Sequence, residues 1–231
     1  MQHLLSRKKQ PPKDNFFYLL CSLLFLLLSS AIVAQFALRS LLGQSLVMAF
    51  TVISMGIGVW SLRSNKGLFN GAIALTLICA LFSSVVIFLD RANLSFLLLF
   101  FMLFFFLLTL KLATEQALFA GKITYNSIVG SICIFLLLGL IWVILYLLVN
   151  EFSENAFLGL NFHTWQENFP DLIYFSFITL TTSGFGDILA ISPIARFLVY
   201  LECIVGVFYM AIVVASLIGS SLNTHKARRS L

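Results

Sequence analysis

One short stretch of this chain combines residue types that can hold a dehydrated cation: Thr181-Thr182-Ser183-Gly184-Phe185-Gly186-Asp187. Glycines at alternate positions admit positive φ at Gly184 and Gly186, so successive backbone carbonyls can turn to one side of the strand. A single strand of this kind cannot surround an ion. Four copies about one axis make stacked rings of oxygens that replace the water shell of a monovalent cation. Carbonyls of Thr182, Ser183, Gly184 and Phe185, with Gly186 above them, are the candidate ion-coordinating groups. The Thr182 hydroxyl adds a ring at the inner end, Thr181 borders a cavity below it, and Asp187 stands at the outer mouth. With one such segment per chain, the geometry calls for a cyclic homotetramer.

The elements that must position this strand are legible on both sides of it. Residues 171–182 form an apolar piece of about twelve residues, roughly 18 Å of helix, or half a bilayer. Pro170 suits the first turn of such a helix, and Asp171 favours the positive end of its dipole. Its negative end, at Thr182, then faces a central cavity and favours a cation there. The strand that follows is broken by glycines, and irregular backbone at membrane depth survives only where protein buries it or water lines it. A re-entrant pore helix (171–182) and a filter loop (182–187) are therefore expected between an outer helix (124–149) and an inner helix (194–219).

The rest of the chain supports a membrane setting. Its 231 residues are 61% hydrophobic and only 10% charged, with 25 phenylalanines, far from the balance of a soluble domain. Six apolar stretches are each long enough to span the bilayer core, which excludes a soluble enzyme, a disulfide-rich secreted scaffold and a nucleic-acid-binding domain. The expected fold class is an all-α membrane protein with six transmembrane helices plus the re-entrant pore helix and selectivity-filter loop. Spans are expected at 16–38, 41–62, 68–89, 94–111, 124–149 and 194–219. The domain plan is a cytoplasmic tail (1–15), a four-helix bundle (16–113), a cytoplasmic linker (114–123), a pore domain (124–219) and a second tail (220–231).

Orientation follows from basic residues near the span ends. With the N-terminus in the cytoplasm, the inner side collects Arg7, Lys8, Lys9, Lys13, Arg63, Lys66, Lys111, Lys122, Lys226, Arg228 and Arg229. The outer side keeps Arg39, Arg91 and Arg196. Both termini are thus expected inside, with the chain in the cell membrane and the basic C-terminal tail available to anionic lipid headgroups. Acidic residues favour the outer side: Asp90, Glu151, Glu154, Glu167, Asp171 and Asp187, against Asp14 and Glu115. A negatively lined outer vestibule that gathers cations and an ordinary solvated loop both account for that bias. The cysteines Cys21, Cys79, Cys133 and Cys203 lie inside apolar runs and read as small buried residues. There is no H-E-x-x-H helix and no nucleophile–base pair, so neither a catalytic residue nor a cofactor is expected.

The residues from Tyr174 to Asp187, ending Thr-Thr-x-Gly-aromatic-Gly-Asp on a half-length helix between two spans, resemble the pore helix and filter of potassium channels. The likeness extends through 188–219, which is similar to the inner helix of prokaryotic six-span members; the first four spans share only topology. The resemblance implies potassium as the permeant ion. Phe185 replaces the usual tyrosine, removing a phenol that could brace the filter, and Ser183 replaces a packed valine. The latter leaves a non-selective cation channel open as an alternative, beside a non-conducting subunit. Ile178 stands where some relatives carry a glutamate paired with the filter aspartate, so Asp187 needs another partner.

Two inner-helix residues and one absence complete the reading. Gly206 resembles the family's hinge glycine, though glycine also permits close helix packing. Glu202, one turn earlier, is an ionisable residue inside the bilayer, placed to bond pore-helix hydroxyls such as Ser176 or Thr179, or to act as a protonatable gating element. The fourth span carries no arginine ladder, so steep voltage dependence has no source there. The aromatics Tyr18, Trp60, Trp142, Tyr146 and Trp165 read as interface-belt residues.

Overall fold

The computed structural model describes residues 16–36, 40–61, 66–89, 92–117, 125–153, 156–160 and 164–229. The expected tail 1–15, the breaks at 37–39, 62–65 and 90–91, most of the linker and the terminal residues 230–231 lie outside the described residues, as do Glu154 and Lys122. Seven helices account for nearly all the rest: α1 (Phe16–Phe36), α2 (Leu41–Ser61), α3 (Lys66–Leu89), α4 (Ala92–Ala117), α5 (Tyr125–Phe152), α6 (Trp165–Leu180) and α7 (Pro193–Arg229). A two-residue strand pair, β1 (Phe157–Leu158) and β2 (Leu189–Ala190), flanks the glycine-bearing stretch 181–187. Continuous apolar sequence takes helical form in lipid because a helix satisfies every backbone group within its own segment. Within the described residues, α1, α2, α4, α5 and α7 are long and apolar enough to cross a membrane, while α3 offers the shorter apolar stretch Asn70–Ser83. The protein is an all-α membrane protein.

Three boundaries differ from expectation, two of them for a packing reason. The fourth span runs on to Ala117 rather than ending at Lys111, so residues 114–117 of the expected linker are helical. Leu112, Ala113 and Ala117 are buried there, where the end of α4 lies on the start of α5. At Gly130 a side chain would strike Ala117 Cβ at 2.7 Å and the Phe16 ring at 3.2 Å, so α1, α4 and α5 meet on that glycine. The inner helix continues to Arg229, which converts residues 220–229 of the expected tail into helix. The pore helix begins at Trp165, not Asp171. Pro170 is therefore interior and removes one backbone bond; the buried rings of Trp165 and Phe169, edge-on with centroids 6.2 Å apart, hold the added turns in place.

The four-helix bundle packs on α5 and α6 of its own chain. Asn126 Oδ1 accepts from the Phe16 amide at 3.3 Å at one end of the bundle. At the other end Phe96 of α4 meets Phe152 of α5, 4.7 Å between centroids, so α4 and α5 run antiparallel. On that same side Gln44, near the start of α2, donates to Glu167 on the first turn of α6 at 3.2 Å. Only a minor share of α7 is covered: 11% of its apolar window is buried, against 61% for α5.

Candidate functional site: the loop after the half-length helix

Helix α6 has 16 residues, about 24 Å at 1.5 Å per residue, which is short of the roughly 30 Å hydrocarbon core. Its inward faces, Leu172, Phe175, Ser176, Thr179 and Leu180, are buried. Two glycines on the neighbouring spans let it sit close. A Cβ at Gly139 of α5 would lie 2.7 Å from the Phe177 ring, and one at Gly206 of α7 would lie 2.0 Å from Leu180 O. Helix α7 passes through Gly206 unbroken. Gly206 therefore has a packing role against the carboxyl end of the pore helix, whatever else it does.

Beyond Leu180 the chain leaves the helix and turns outward. All seven residues 181–187 are exposed in the protomer, in the middle of an otherwise apolar fold. Positive φ occurs at Thr182 (58°), Gly184 (48°) and Gly186 (81°), and at neither residue between them. Alternation of left- and right-handed backbone turns N–H groups to one side and hence carbonyls to the other. Thr182 is the one described non-glycine residue with positive φ. A β-branched side chain there costs about 1–2 kcal/mol. The amides follow the same logic, because Ile178 O accepts from Ser183 N at 2.7 Å and from Gly184 N at 3.2 Å. A Cβ at Gly184 or Gly186 would meet nothing within 4 Å, so their need for glycine lies in φ alone.

Side chains brace this strand. Thr181 Oγ1 donates to Phe177 O at 2.7 Å, and Ser183 Oγ lies 3.1 Å from Thr181 Oγ1. With the threonine proton used, Ser183 donates, so its polar side chain has a partner. Phe185 stacks parallel to Tyr174, with centroids 6.5 Å apart and planes 4° apart. The Tyr174 phenol hydrogen-bonds Asp187, which holds its proton on more firmly. Asp187 thus finds its partner one turn before Ile178, and its Oδ1 also accepts from Ile188 N at 3.0 Å. Burial, and then the nearby charge of Asp187, raise the Asp171 carboxyl above its ordinary value. Glu151 is exposed and Glu167 half-buried on the same side.

The outer end is pinned by contacts that no sequence pattern announced. Strands β1 and β2 pair antiparallel, Phe157 with Ala190 and Leu158 with Leu189. Ala156 O accepts from Ile191 N at 2.8 Å, and Ala190 O accepts from Arg196 Nε at 3.1 Å. Gly159, at φ 97°, leaves only 2.5 Å between a notional Cβ and Asp187 O. Below the strand a cavity of about 570 Å³ opens between α5 and α7, lined by Thr181, Thr182, Leu180, Gly206, Val207 and Met210 among others.

Glu202 is fully buried. Tyr146 donates its hydroxyl to Glu202 Oε2, and Ser176 Oγ lies 2.6 Å from Oε1. Of the two pore-helix hydroxyls expected for it, Ser176 makes the bond, while Thr179 accepts through its carbonyl from Cys203 Sγ at 3.5 Å. Tyr146 was expected at the lipid interface and is instead fully buried, as is Trp165, while Trp142 is largely buried. The signal that could have found it is Glu202 itself, since a buried carboxyl needs donors. Tyr18 and Trp60 do face outward, with rings 5.5 Å apart.

Residues 132–220, from the second turn of α5 through α6 and the strand into α7, match the family model described as ion channel. Over this part the chain is similar to ion channels. Neither a curated protein nor a solved structure matches the chain. The matched stretch contains the short helix α6, the exposed strand and most of both flanking spans, and it supports ion transport across a membrane as the general function.

Proposed function

We propose that the protein is the subunit of a homotetrameric potassium channel. Four strands, carrying the carbonyls of Thr182, Ser183, Gly184 and Phe185 with Gly186 above, form its filter. The observation that carries this reading is the exposed stretch 181–187 with its alternating positive φ at 182, 184 and 186. A strand whose carbonyls at 182–186 accept from no backbone amide among the described residues is built for something outside it, and rings of carbonyls suit a dehydrated monovalent cation. The largely uncovered face of α7 supports assembly, with Phe197, Tyr200, Ile204, Val207 and Phe208 exposed. Fourfold rotation brings four such faces and four strands to one axis.

In this reading both termini lie in the cytoplasm of a plasma-membrane channel, and Asp171 and Asp187 line the outer mouth. Ions pass downhill with no cofactor. The α1–α4 bundle lacks the charges that would make opening steeply voltage-dependent, and Gly206 serves as hinge as well as contact. Purified protein in liposomes is expected to give potassium flux that barium blocks. Gly184→Ala should abolish that flux while tetramers still form; flux surviving it would count against the filter. The small polar Ser183 favours a second reading, a non-selective cation channel, which equal sodium and potassium flux would establish.

A further inference from the structure

Behind the proposed filter, three helices meet on polar groups that are wholly buried: Tyr146 of α5, Ser176 of α6 and Glu202 of α7. Ser176 Oγ lies 2.6 Å from Glu202 Oε1 and 2.9 Å from Gly139 O of α5. A serine hydroxyl carries one proton to donate and two lone pairs to accept with. A backbone carbonyl can only accept, so the contact with Gly139 takes the serine proton. The shorter contact, to Oε1, is then a hydrogen bond only if the carboxyl donates it. Tyr146 supplies its own proton to Oε2. The titratable groups facing the carboxyl are Tyr146 from α5 and Cys203 beside it on α7; α6 contributes the serine hydroxyl.

We propose that Glu202 is held as a neutral carboxylic acid and is a positioning residue for the filter. One directed chain of hydrogen bonds runs from Tyr146 to Glu202, from Glu202 to Ser176 and from Ser176 to Gly139 O. Each proton in it is used once, and the chain closes on the outer helix from which it began, so α6 is tied to both flanking spans. The next turn along repeats the alignment, with Leu180 O against Gly206 four residues beyond Ser176 and Glu202. A shift of the pore helix therefore has to break the chain. The positioning role rests on the channel reading above; the protonation state does not.

Infrared spectra of the reconstituted protein test the state. The difference between wild type and E202Q should contain the carbonyl stretch of a neutral carboxylic acid, and a difference made only of carboxylate bands overturns it. Currents test the role. E202A and Ser176→Ala should lower sustained current about tenfold, as deletion of a buried hydrogen-bond partner does. E202Q, whose amide can donate to Ser176 and accept from Tyr146, should restore it. Tyr146→Phe, which removes one hydroxyl and keeps the ring, should give an intermediate loss. Full sustained current in E202A overturns the positioning role. A wild type that passes no current overturns the channel reading instead, and the infrared band still decides the carboxyl.

Discussion

The α1–α4 bundle and the α5–α7 part are both built of apolar helices, yet they use most of their buried polar side chains differently. In the bundle, Ser22, Ser29, Thr51, Ser83 and Thr109 return their hydroxyls to carbonyls three or four residues earlier on the same helix. In α5–α7 the polar groups cross between helices: Ser176 and Glu202, Tyr146 and Glu202, Tyr209 and Ser131 O at 2.5 Å. Lipid gives no hydrophobic drive for helices to associate, so dispersion contacts and interhelical hydrogen bonds must set their positions. The bundle is keyed by one such bond, Ser54 Oγ to Ser22 O at 2.9 Å, whereas α5, α6 and α7 are keyed to one another through a buried carboxyl. That difference fits a region whose relative placement matters to ångström precision beside one that surrounds it.

The comparison can be broken most sharply with two glycines. Gly206→Val would drive a side chain into Leu180 O, a backbone atom that cannot yield. We expect at least about 3 kcal/mol of destabilisation, at the upper end of overpacking costs, read as loss of assembled protein on heating in detergent. Gly184→Ala meets no atom and strains only the backbone at φ 48°, so it should cost about 1 kcal/mol, well short of Gly206→Val, while flux disappears. If the two variants behave alike, the distinction between packing glycine and conformational glycine fails.

Smaller effects sharpen the same contrast. Ser176→Ala leaves a buried carboxyl oxygen unpaired and should cost ~1–3 kcal/mol. Thr109→Val in α4 removes a hydroxyl bonded to its own helix and should cost less than about 0.6 kcal/mol. Denaturation of the two variants in one detergent gives the ratio.

The smallest expected effect lies at the outer mouth. The Asp171 carboxyl is raised by burial and by Asp187, so as external pH falls it takes up its proton earlier than an ordinary aspartate. Conductance should then decline at mildly acidic pH through loss of negative potential. Asp171→Asn should be lower at neutral pH and flatter with pH, and high salt should shrink the difference. A wild-type profile as flat as that of the variant would remove Asp171 from the vestibule.

Much of this was legible in residue order, and the failures have physical causes. The half-length helix and the exposed strand follow from Thr182, Gly184, Gly186 and Asp187 because backbone requirements there are strict. The start of α6 was misplaced by six residues because Pro170 reads as a helix start, whereas the buried rings of Trp165 and Phe169 outweigh the lost bond. The length of α4 was underestimated because Lys111 looked like an end, although Ala113 and Ala117 behind it are packed on α5. Tyr146 was misread as an interface residue because an aromatic at a span end looks the same facing lipid or a buried carboxyl. The short strands beside the exposed stretch 181–187 have two residues each, too few to show an alternating pattern.

The central claim is that the exposed strands of four chains face one axis and hold potassium by their carbonyls. Reversal potential across a bilayer with potassium on one side and sodium on the other tests it most directly. The account predicts a shift toward the potassium equilibrium potential that is lost, together with the current, in Gly184→Ala. A current that reverses at the same voltage when the two cations are exchanged would contradict it.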